Sequence, residues 1–259
     1  MTADNNSRII LTDNAGLRAR YNELKAGDVF IGRLRIKETE EPMLLDLVER
    51  GIVLFPSALS QLASRSKVFQ TRLFATYMPP FTRTVHDIHD MLEITNFYHR
   101  NSIGRVVTKL DRKDAGLGIH LWGNVEEVYN QASLNVLPYP FVIQPFYSST
   151  RDIRVLLLND YCEAYYRKNP DNFRNNLHCG GHSSPGEVQE SHLSICRAVM
   201  ERGKFPYAHI DLMETGDNLY LMEINLRGGI KGAVISPEEY RRRQRDLEER
   251  ELTAYLNQD

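Results

Sequence analysis

The stretch His209-Ile210-Asp211-Leu212-Met213-Glu214-Thr215-Gly216-Asp217-Asn218-Leu219-Tyr220-Leu221-Met222-Glu223-Ile224-Asn225 holds two runs in which apolar and polar residues alternate. Successive side chains of an extended strand point to opposite faces, so Glu223 and Asn225 share a face. The segment Thr215-Gly216-Asp217-Asn218 is typical of a turn and predicts that the two runs form a β-hairpin. If its loop holds an odd number of residues, Asp211 lies nearly opposite Glu223 on that same face.

Two carboxylates in this position repel each other, and a cation between them would relieve the repulsion. Carboxylate and amide oxygens suit a Mg²⁺ ion that carries nucleotide phosphates. The predicted metal ligands are therefore Asp211, Glu223 and Asn225. An ordinary hairpin with a solvated polar face explains the same pattern, so the hairpin alone leaves both interpretations open.

Composition limits the classes of protein to which the chain can belong. It has 259 residues, 42% hydrophobic and 25% charged, with a formal net charge of −2. This length can bury the core of one large domain or two smaller ones. Near-neutral charge argues against general nucleic-acid binding, which needs a basic surface, but permits a local basic groove.

Several features indicate a cytoplasmic protein without a membrane segment. The three cysteines have an odd count and no metal-site spacing, which fits a reducing cytosol. Residues 1–6 are polar and lack the apolar segment of a signal peptide. No apolar run approaches the length that spans a bilayer.

Strands and helices alternate from residue 8 to about 80, which suggests a parallel α/β unit. Pro79-Pro80 is a plausible boundary, and the chain divides into an N-terminal α/β domain (1–80), a small subdomain (81–140) and a large subdomain (141–259). The predicted helices cover about 58–77, about 87–100, a segment that begins at Ser184-Pro185-Gly186-Glu187 and ends near Gly203, and a tail helix that begins at Ser236-Pro237-Glu238-Glu239.

A strand lysine followed by a glycine-containing loop predicts phosphate binding. Lys109 ends the run Val106-Val107-Thr108-Lys109, and Gly116 and Gly118 follow in the loop. Glycines let the backbone come close to a ligand, and loop N–H groups with one lysine can hold a polyphosphate. The lysine precedes the glycines, so this is not a Walker loop, and a plain hairpin turn remains the alternative.

A second hairpin carries arginines on one polar face. Asn159-Asp160 is compatible with a two-residue turn between the strands 151–158 and 161–167. In that register Arg154 and Arg167 share a face, where they could clamp phosphate or carboxylate oxygens. Surface ion pairs with acidic residues of the same hairpin are the alternative. Arg174, Asn176 and the glycine pair Gly180-Gly181 follow shortly after.

In this order the motifs resemble the ATP-grasp superfamily, and within it the RimK-like ribosomal-protein glutamate ligases, with glutathione synthetase a more distant relative. The resemblance covers about residues 58–232. It implies an α/β (α+β) chain with the ATP-grasp fold, in which two α/β subdomains clasp ATP and a short N-terminal α/β domain precedes them.

The resemblance also implies roles for individual residues. Lys67 and Lys109 match the nucleotide lysines, Gly116 and Gly118 the lid over the triphosphate, and Gln144 and Phe146 the hinge that holds adenine. Arg154, Arg167 and Arg174 match arginines at the reacting centre, and Asn176 an amide near the phosphates. Asp211, Glu223 and Asn225 match the ligands of Mg²⁺, commonly two ions, with Mn²⁺ as an alternative.

Two departures from the family pattern concern the hinge and the substrate pocket. Pro145 stands where this branch often has a glutamate, and Leu226-Arg227-Gly228-Gly229 replaces a small residue, proline and glycine. We assign Arg227 and Gly228 to the substrate pocket, where substrate choice is therefore open. The N-terminal domain is also short for the branch.

The implied activity is ATP-dependent ligation of a carboxylate to an amine through an acyl phosphate. The substrates would be an amino acid such as glutamate and a peptide, a protein terminus or another small molecule, and a homo-oligomer is left open. The alternatives are a nucleotide-binding protein that has lost catalysis and a kinase that phosphorylates a small molecule.

Overall fold

A computed structural model describes residues 8–258 of the chain; the polar segment 1–6 considered above lies outside them. The first unit is a three-stranded parallel sheet in the order β1-β2-β3. Its elements are β1 (Ile10–Leu11), α1 (Asn14–Arg20), β2 (Val29–Ile31), α2 (Pro42–Glu49) and β3 (Val53–Phe55). The predicted parallel α/β arrangement is confirmed by this topology.

The predicted single helix over 58–77 is wrong, because the chain breaks at Ser66. Two short helices, α3 (Ala58–Ala63) and α4 (Lys67–Leu73), replace it, and a 3-10 turn follows at Ala75–Tyr77. Ser66 has extended backbone angles, and its hydroxyl accepts a hydrogen bond from Phe69 N. A serine that caps a new helix in this way leaves Lys67 as the first residue of α4.

The second sheet is antiparallel and four-stranded, in the order β4-β7-β5-β6. Its elements are β4 (Arg83–Val85), α5 (Ile88–Arg100), β5 (Val106–Leu110), β6 (Ile119–Trp122), α6 (Val125–Ser133) and β7 (Phe141–Pro145). One face packs on α5 and α6, where Met91, Tyr98, Phe141 and Ile143 form a core with less than 2% exposure. Asp87 caps α5, so the helix predicted over 87–100 is confirmed.

The third sheet is also antiparallel and has the order β10-β9-β8-β11-β12. Its strands and the two helices that follow in the chain are β8 (Arg151–Leu158), β9 (Tyr161–Lys168), β10 (His182–Gly186), α7 (Glu190–Gly203), β11 (Tyr207–Thr215), β12 (Asn218–Asn225) and α8 (Pro237–Leu256). Leu158 pairs with Tyr161, which confirms the predicted two-residue turn at Asn159-Asp160. Ile153, Val155, Ile210 and Leu212 lie in its buried core.

The predicted start of a helix at Ser184 is wrong. Ser184-Pro185-Gly186 belongs to edge strand β10, in which Pro185 pairs with Tyr165 of β9. An edge strand tolerates a proline because one side of its backbone needs no sheet partner. The helix α7 begins at Glu190 instead, after Gln189.

The tail helix begins where the sequence predicts it, since Ser236 accepts a hydrogen bond from Glu239 N at the start of α8. No helix between residues 8 and 258 is long and apolar enough to cross a membrane.

Candidate active site

A cleft of about 1550 Å³ is lined by residues of the second and third sheets and of the segments around them, among them the segment that follows β2. Its walls include the segment after β2, the first turn of α4, the loop between β5 and β6, and the polar faces of β8, β9, β11 and β12. Every site residue predicted from the sequence except Gly118 lines this cleft.

The hairpin of β11 and β12 brings Asp211 directly opposite Glu223. Its loop holds two residues, since Thr215 pairs with Asn218, and the expectation of an odd loop is therefore wrong. A regular ladder continued from that turn would place Asp211 opposite Met222. The register instead shifts between Asp211 and Leu212, so a β-bulge with Met222 as the extra residue restores the pairing.

Two arginines of the neighbouring hairpin lie against Asp211. Arg154 Nε and Nη2 donate to the two oxygens of the Asp211 carboxylate at 2.6 and 2.8 Å. Arg167 Nη2 lies 3.1 Å from Asp211 Oδ2, and Arg167 Nε donates to Asp152 at 2.6 Å. Guanidinium groups thus already offset the negative charge of Asp211, the charge for which the sequence pattern suggested a cation.

The pKa values in this cluster follow from burial and from the neighbouring charges. Burial raises the pKa of Asp211, but the charges of Arg154 and Arg167 outweigh burial and hold the pKa well below its usual range. Burial lowers the pKa of Arg154, yet the Asp211 charge raises it by more, to above its ordinary value. For Asp152 burial prevails, and its pKa is raised despite the contact with Arg167. At neutral pH Asp211 and both arginines therefore carry full charges.

Both predicted nucleotide lysines interact with the charge of Glu223. Lys67 Nζ is 3.0 Å from Glu223 Oε1 and also donates to the carbonyl oxygen of Lys113 at 2.7 Å. Lys109 is 8% exposed, and burial lowers its pKa to about 8, with the positive charge of Lys67 acting in the same direction and Glu223 against it. Two positive charges that act on each other in one cleft, one of them poorly solvated, favour an anionic ligand.

The glycine loop between β5 and β6 is tied to the segment that follows β9. Asn176 Nδ2 donates to the Ala115 carbonyl at 2.8 Å, and Arg174 Nε donates to the Ile119 carbonyl at 2.9 Å. Gly116 has a φ of +79°, and a Cβ there would come within 3.1 Å of Asn176 and Cys179. Arg174 and Asn176 thus hold the backbone of this loop while also lining the cleft.

The segment predicted to be the hinge contains a buried polar atom without a partner. Gln144 is 4% exposed, and its Oε1 finds no hydrogen-bond donor among the described residues. Phe146 follows the end of β7, with the Arg105 guanidinium 4.7 Å from its ring and the ring of Phe173 edge-on at 6.3 Å. An apolar wall next to an unsatisfied carbonyl oxygen suits a flat ring that carries an amino group.

The predicted substrate residues follow β12. A Cβ on Gly228 would come within 2.7 Å of the imidazole of His209, so this loop packs directly on that ring. His209 is buried, and its Nε2 lies 3.1 Å from Tyr240 Oη of α8. Burial lowers the pKa of His209 to about 3, and the charge of Arg154 acts in the same direction, so the ring is neutral.

His209 was missed in the sequence analysis. The signal that could have indicated it is its position two residues before Asp211, which puts both side chains on one strand face.

The donor set at the hairpin fits a magnesium ion. Asn225 lies opposite His209, two residues beyond Glu223, so the oxygens of Asp211, Glu223 and Asn225 all face the cleft. Mg²⁺ commonly binds through one or two carboxylates and completes its shell with water and substrate phosphates. Residues 8–258 contain no group of three or more histidine, cysteine, aspartate or glutamate side chains arranged to hold a metal on their own.

Comparison with known proteins places the fold and the family. The RimK-like ATP-grasp domain matches residues 75–236. The chain is 25% identical over 158 residues to the coenzyme γ-F420-2:α-L-glutamate ligase of Methanocaldococcus jannaschii, which covers 59% of this chain and 54% of that protein. It is 30% identical over 176 residues to the glutathione synthetase of Agrobacterium fabrum, and the match covers 63% of this chain and 51% of that protein. The chain thus spans about half the length of these two relatives.

Among solved structures, the D-alanine–D-alanine ligase of Bacillus anthracis in complex with ATP superposes with a TM-score of 0.63 at 16% identity, with 95% of this chain and 86% of that chain covered. The overall arrangement of this chain is therefore the ATP-grasp fold, and the fold class predicted from the sequence is confirmed.

Proposed function

The chain belongs to the RimK-like ATP-grasp family, and from this premise we propose that it is an ATP- and magnesium-dependent ligase that joins a carboxylate to an amine. In this proposal residues 81–140 and 141–259 are the two ATP-grasp subdomains, and residues 1–80 are a short domain that contributes to substrate binding. The carboxylate or the amine belongs to an amino acid or a peptide.

One observation carries the proposal: paired carboxylates, two lysines and two arginines converge in a single cleft. Glu223 forms an ion pair with Lys67 and its charge also acts on Lys109, while Asp211 lies against Arg154 and Arg167. Phosphoryl transfer needs accurate positioning and neutralisation of charge more than it needs a protein nucleophile. A cleft with this set of charges supplies both.

The nucleotide would lie between the second and third sheets. The adenine ring would lie against Phe146, with its amino group donating to Gln144 Oε1. Lys67 and Lys109 would neutralise the phosphates beneath the glycine loop, and Asp211, Glu223 and Asn225 would hold the magnesium ion, which supplies Lewis-acid stabilisation of the phosphate oxygens.

The reaction then proceeds in two steps. A carboxylate oxygen of the substrate attacks the γ-phosphorus, the bond to the leaving ADP oxygen breaks, and an acyl phosphate forms. The amine next attacks the acyl carbon, inorganic phosphate leaves, and the amine gives up a proton. Arg154 and Arg167 would stabilise the negative charge that develops on the phosphoryl and tetrahedral oxygens; Arg174 would act through the loop that it holds.

The test measures ADP release with ATP, magnesium and a panel of amino acids and peptides. We expect release that depends on an acceptor, and a hydroxamate product when hydroxylamine replaces the amine, because an acyl phosphate reacts with hydroxylamine. Tight ATP binding without turnover of any acceptor would instead indicate a silent nucleotide-binding protein. A phosphorylated product without hydroxamate would indicate a kinase.

A matched pair of variants tests the assignment of Glu223. Glu223→Gln removes the charge with little change in volume, and turnover should fall by at least about 100-fold, as for the loss of a group that stabilises the transition state. Glu190→Gln, on an exposed glutamate of α7 paired with Arg197, is the control and should leave turnover unchanged. Normal activity of Glu223→Gln would refute the metal assignment.

A further inference from the structure

The segment after β2 presents an arginine to the cleft at the carboxyl end of the parallel sheet. Gly32 has a φ of +121°, and Arg33 follows it directly and lines the cleft. Crevices at the carboxyl ends of parallel strands are the usual ligand sites of such sheets.

The backbone of this segment is held in place by side chains from other parts of the chain. Gln61 Oε1 accepts a hydrogen bond from Leu34 N at 2.8 Å, and Arg65 Nη1 donates to the Ile36 carbonyl at 3.1 Å. Arg33 is therefore presented from a fixed backbone rather than from a free loop.

The guanidinium of Arg33 has no acidic partner in the part of the chain that the structure describes. Within residues 8–258 no carboxylate lies within 4.0 Å of it, although Arg112, which lines the same cleft, pairs with Glu41 at 2.5 Å. Burial is the main cause that lowers the pKa of Arg33; Tyr207 and Tyr240 act against it, and the charges of Arg227 and Arg35 act with it.

Arg227 lies in the segment after β12, two residues beyond Asn225, and lines the same cleft. It too has no acidic partner among the described residues. The positive charges of Arg33 and Arg227 repel each other, and no carboxylate among the described residues offsets them. An anion that binds between the two guanidinium groups would relieve this repulsion. A planar guanidinium also matches the oxygens of a carboxylate or phosphate in a bidentate fork.

We propose that Arg33 and Arg227 form an anion subsite for a carboxylate or phosphate group of the substrate other than the group that reacts. The inference rests on the proposed function and deepens it, because it assigns a substrate class: a molecule with a second anionic group at a distance from its reacting centre. A substrate with a single charge leaves both arginines uncompensated and binds more weakly.

Arginine labelling tests the subsite without any turnover. The whole protein is treated with phenylglyoxal, which reacts with the unprotonated guanidine, and labelled positions are found by mass spectrometry. We expect Arg33 and Arg227 to be labelled and the buried, ion-paired Arg154 and Arg167 to be spared.

Labelling is then repeated with three matched probes, L-glutamate, O-phospho-L-serine and L-glutamine. Protection of Arg33 and Arg227 by glutamate identifies a carboxylate ligand, and protection by phosphoserine alone identifies a phosphate ligand. Equal protection by glutamine, or no protection by any of the three, overturns the proposal.

Kinetics and melting of one variant give a second test. Arg33→Gln should raise KM for a dianionic substrate about 10- to 100-fold, the effect of losing charge-assisted hydrogen bonds, and leave KM for ATP unchanged. Arg33→Lys keeps the positive charge but not the bidentate geometry of the guanidinium, so its KM for the dianionic substrate should lie between those of the wild-type protein and Arg33→Gln. Arg20→Gln removes an exposed arginine of α1 paired with Glu23 and is the control, without effect on either constant.

Because Arg33→Gln removes an uncompensated charge, it should melt at or above the temperature of the wild-type protein in the absence of anions. An unchanged KM for the dianionic substrate in this variant would refute the subsite and leave the ligase function standing. Conversely, protection from labelling in a protein that turns over no acceptor would retain the subsite and refute the ligase function.

Discussion

Replacing Asp211 by asparagine tests how much of the fold depends on the charged cluster at the centre of the cleft. The carboxylate of Asp211 is within hydrogen-bond distance of both Arg154 and Arg167, and the residue is only 7% exposed. Asp211→Asn keeps the volume and one acceptor oxygen but removes the charge. Two buried guanidinium groups then share the charge of Asp152 alone.

The expected loss can be estimated from this geometry. Breaking a buried ion pair by removing one partner costs about 3–5 kcal/mol, and the retained acceptor oxygen of asparagine favours the lower end, about 3 kcal/mol. In a protein of this size each kcal/mol shifts the melting temperature by about 2–4 °C. Asp211→Asn should therefore lower the melting temperature of the protein without magnesium by about 6–12 °C.

The assay is a thermal melt without nucleotide or metal, with Glu223→Gln as the matched control. Glu223 forms an ion pair with Lys67 nearer to solvent, its side chain being 24% exposed, so the loss of this ion pair should cost less than about 1 kcal/mol.

Because the pKa of Asp211 is depressed, the stability that its charge contributes is present above the ordinary pKa of aspartate and is lost as pH falls toward the depressed value. The difference between the wild-type protein and Asp211→Asn should therefore shrink in acid. Equal melting temperatures of Asp211→Asn and the wild-type protein at neutral pH would refute this reasoning and leave repulsion between Asp211 and Glu223 as the dominant effect.

Three further predictions concern the nucleotide and substrate contacts. The affinity of the wild-type protein for ATP, measured by calorimetry, should fall as pH rises through about 8, because Lys109 loses its proton there; Lys109→Met should bind ATP weakly with no such dependence. Gln144→Leu should leave the melting temperature unchanged or raised, since its Oε1 is buried without a partner among the described residues. It should also reduce the preference for ATP over GTP in competition binding. Gly228→Ala should lower kcat/KM for the substrate without changing ATP affinity, since the new Cβ meets His209 at 2.7 Å; adding His209→Ala should restore part of the loss, and strict additivity would contradict the contact.

Features that depend on local sequence could be predicted. The pairing of Leu158 with Tyr161 follows from a turn dipeptide between two alternating runs, and it fixes which face carries Arg154 and Arg167. The start of α8 follows from a serine cap at Ser236. In each case the residues that decide the structure are neighbours in the chain.

Features that depend on distant contacts could not be predicted. A capping pattern at Ser184 is indistinguishable in sequence from the edge strand β10, because only the presence of β9 makes strand pairing available. The break at Ser66 is of the same kind: the hydroxyl of Ser66 also donates to Asp111, a residue of the glycine loop 45 positions away. The lack of an acidic partner for Arg33 among the described residues could not be predicted from the sequence either. It depends on how far the fold places each acidic side chain from this guanidinium.

The bulge at Met222 shows why the pairing of Asp211 with Glu223 was predicted for a wrong reason. The pattern required an odd loop, whereas the two-residue turn at Gly216-Asp217 suits a tight hairpin and gives the opposite parity. One extra residue in β12 reconciles the two, so the turn keeps its geometry while the carboxylates still meet. A bulge also increases local twist and re-aims the side chains next to it, which turns Glu223 toward Lys67 while Asp211 remains against the arginines of β8 and β9. Deletion of Met222 should therefore leave a regular ladder in which Glu223 still pairs with Asp211, but without the bulge that re-aims Glu223 toward Lys67. ATP turnover should then fall in a protein whose circular dichroism spectrum is unchanged, and undiminished turnover would show that the bulge is not required to orient Glu223.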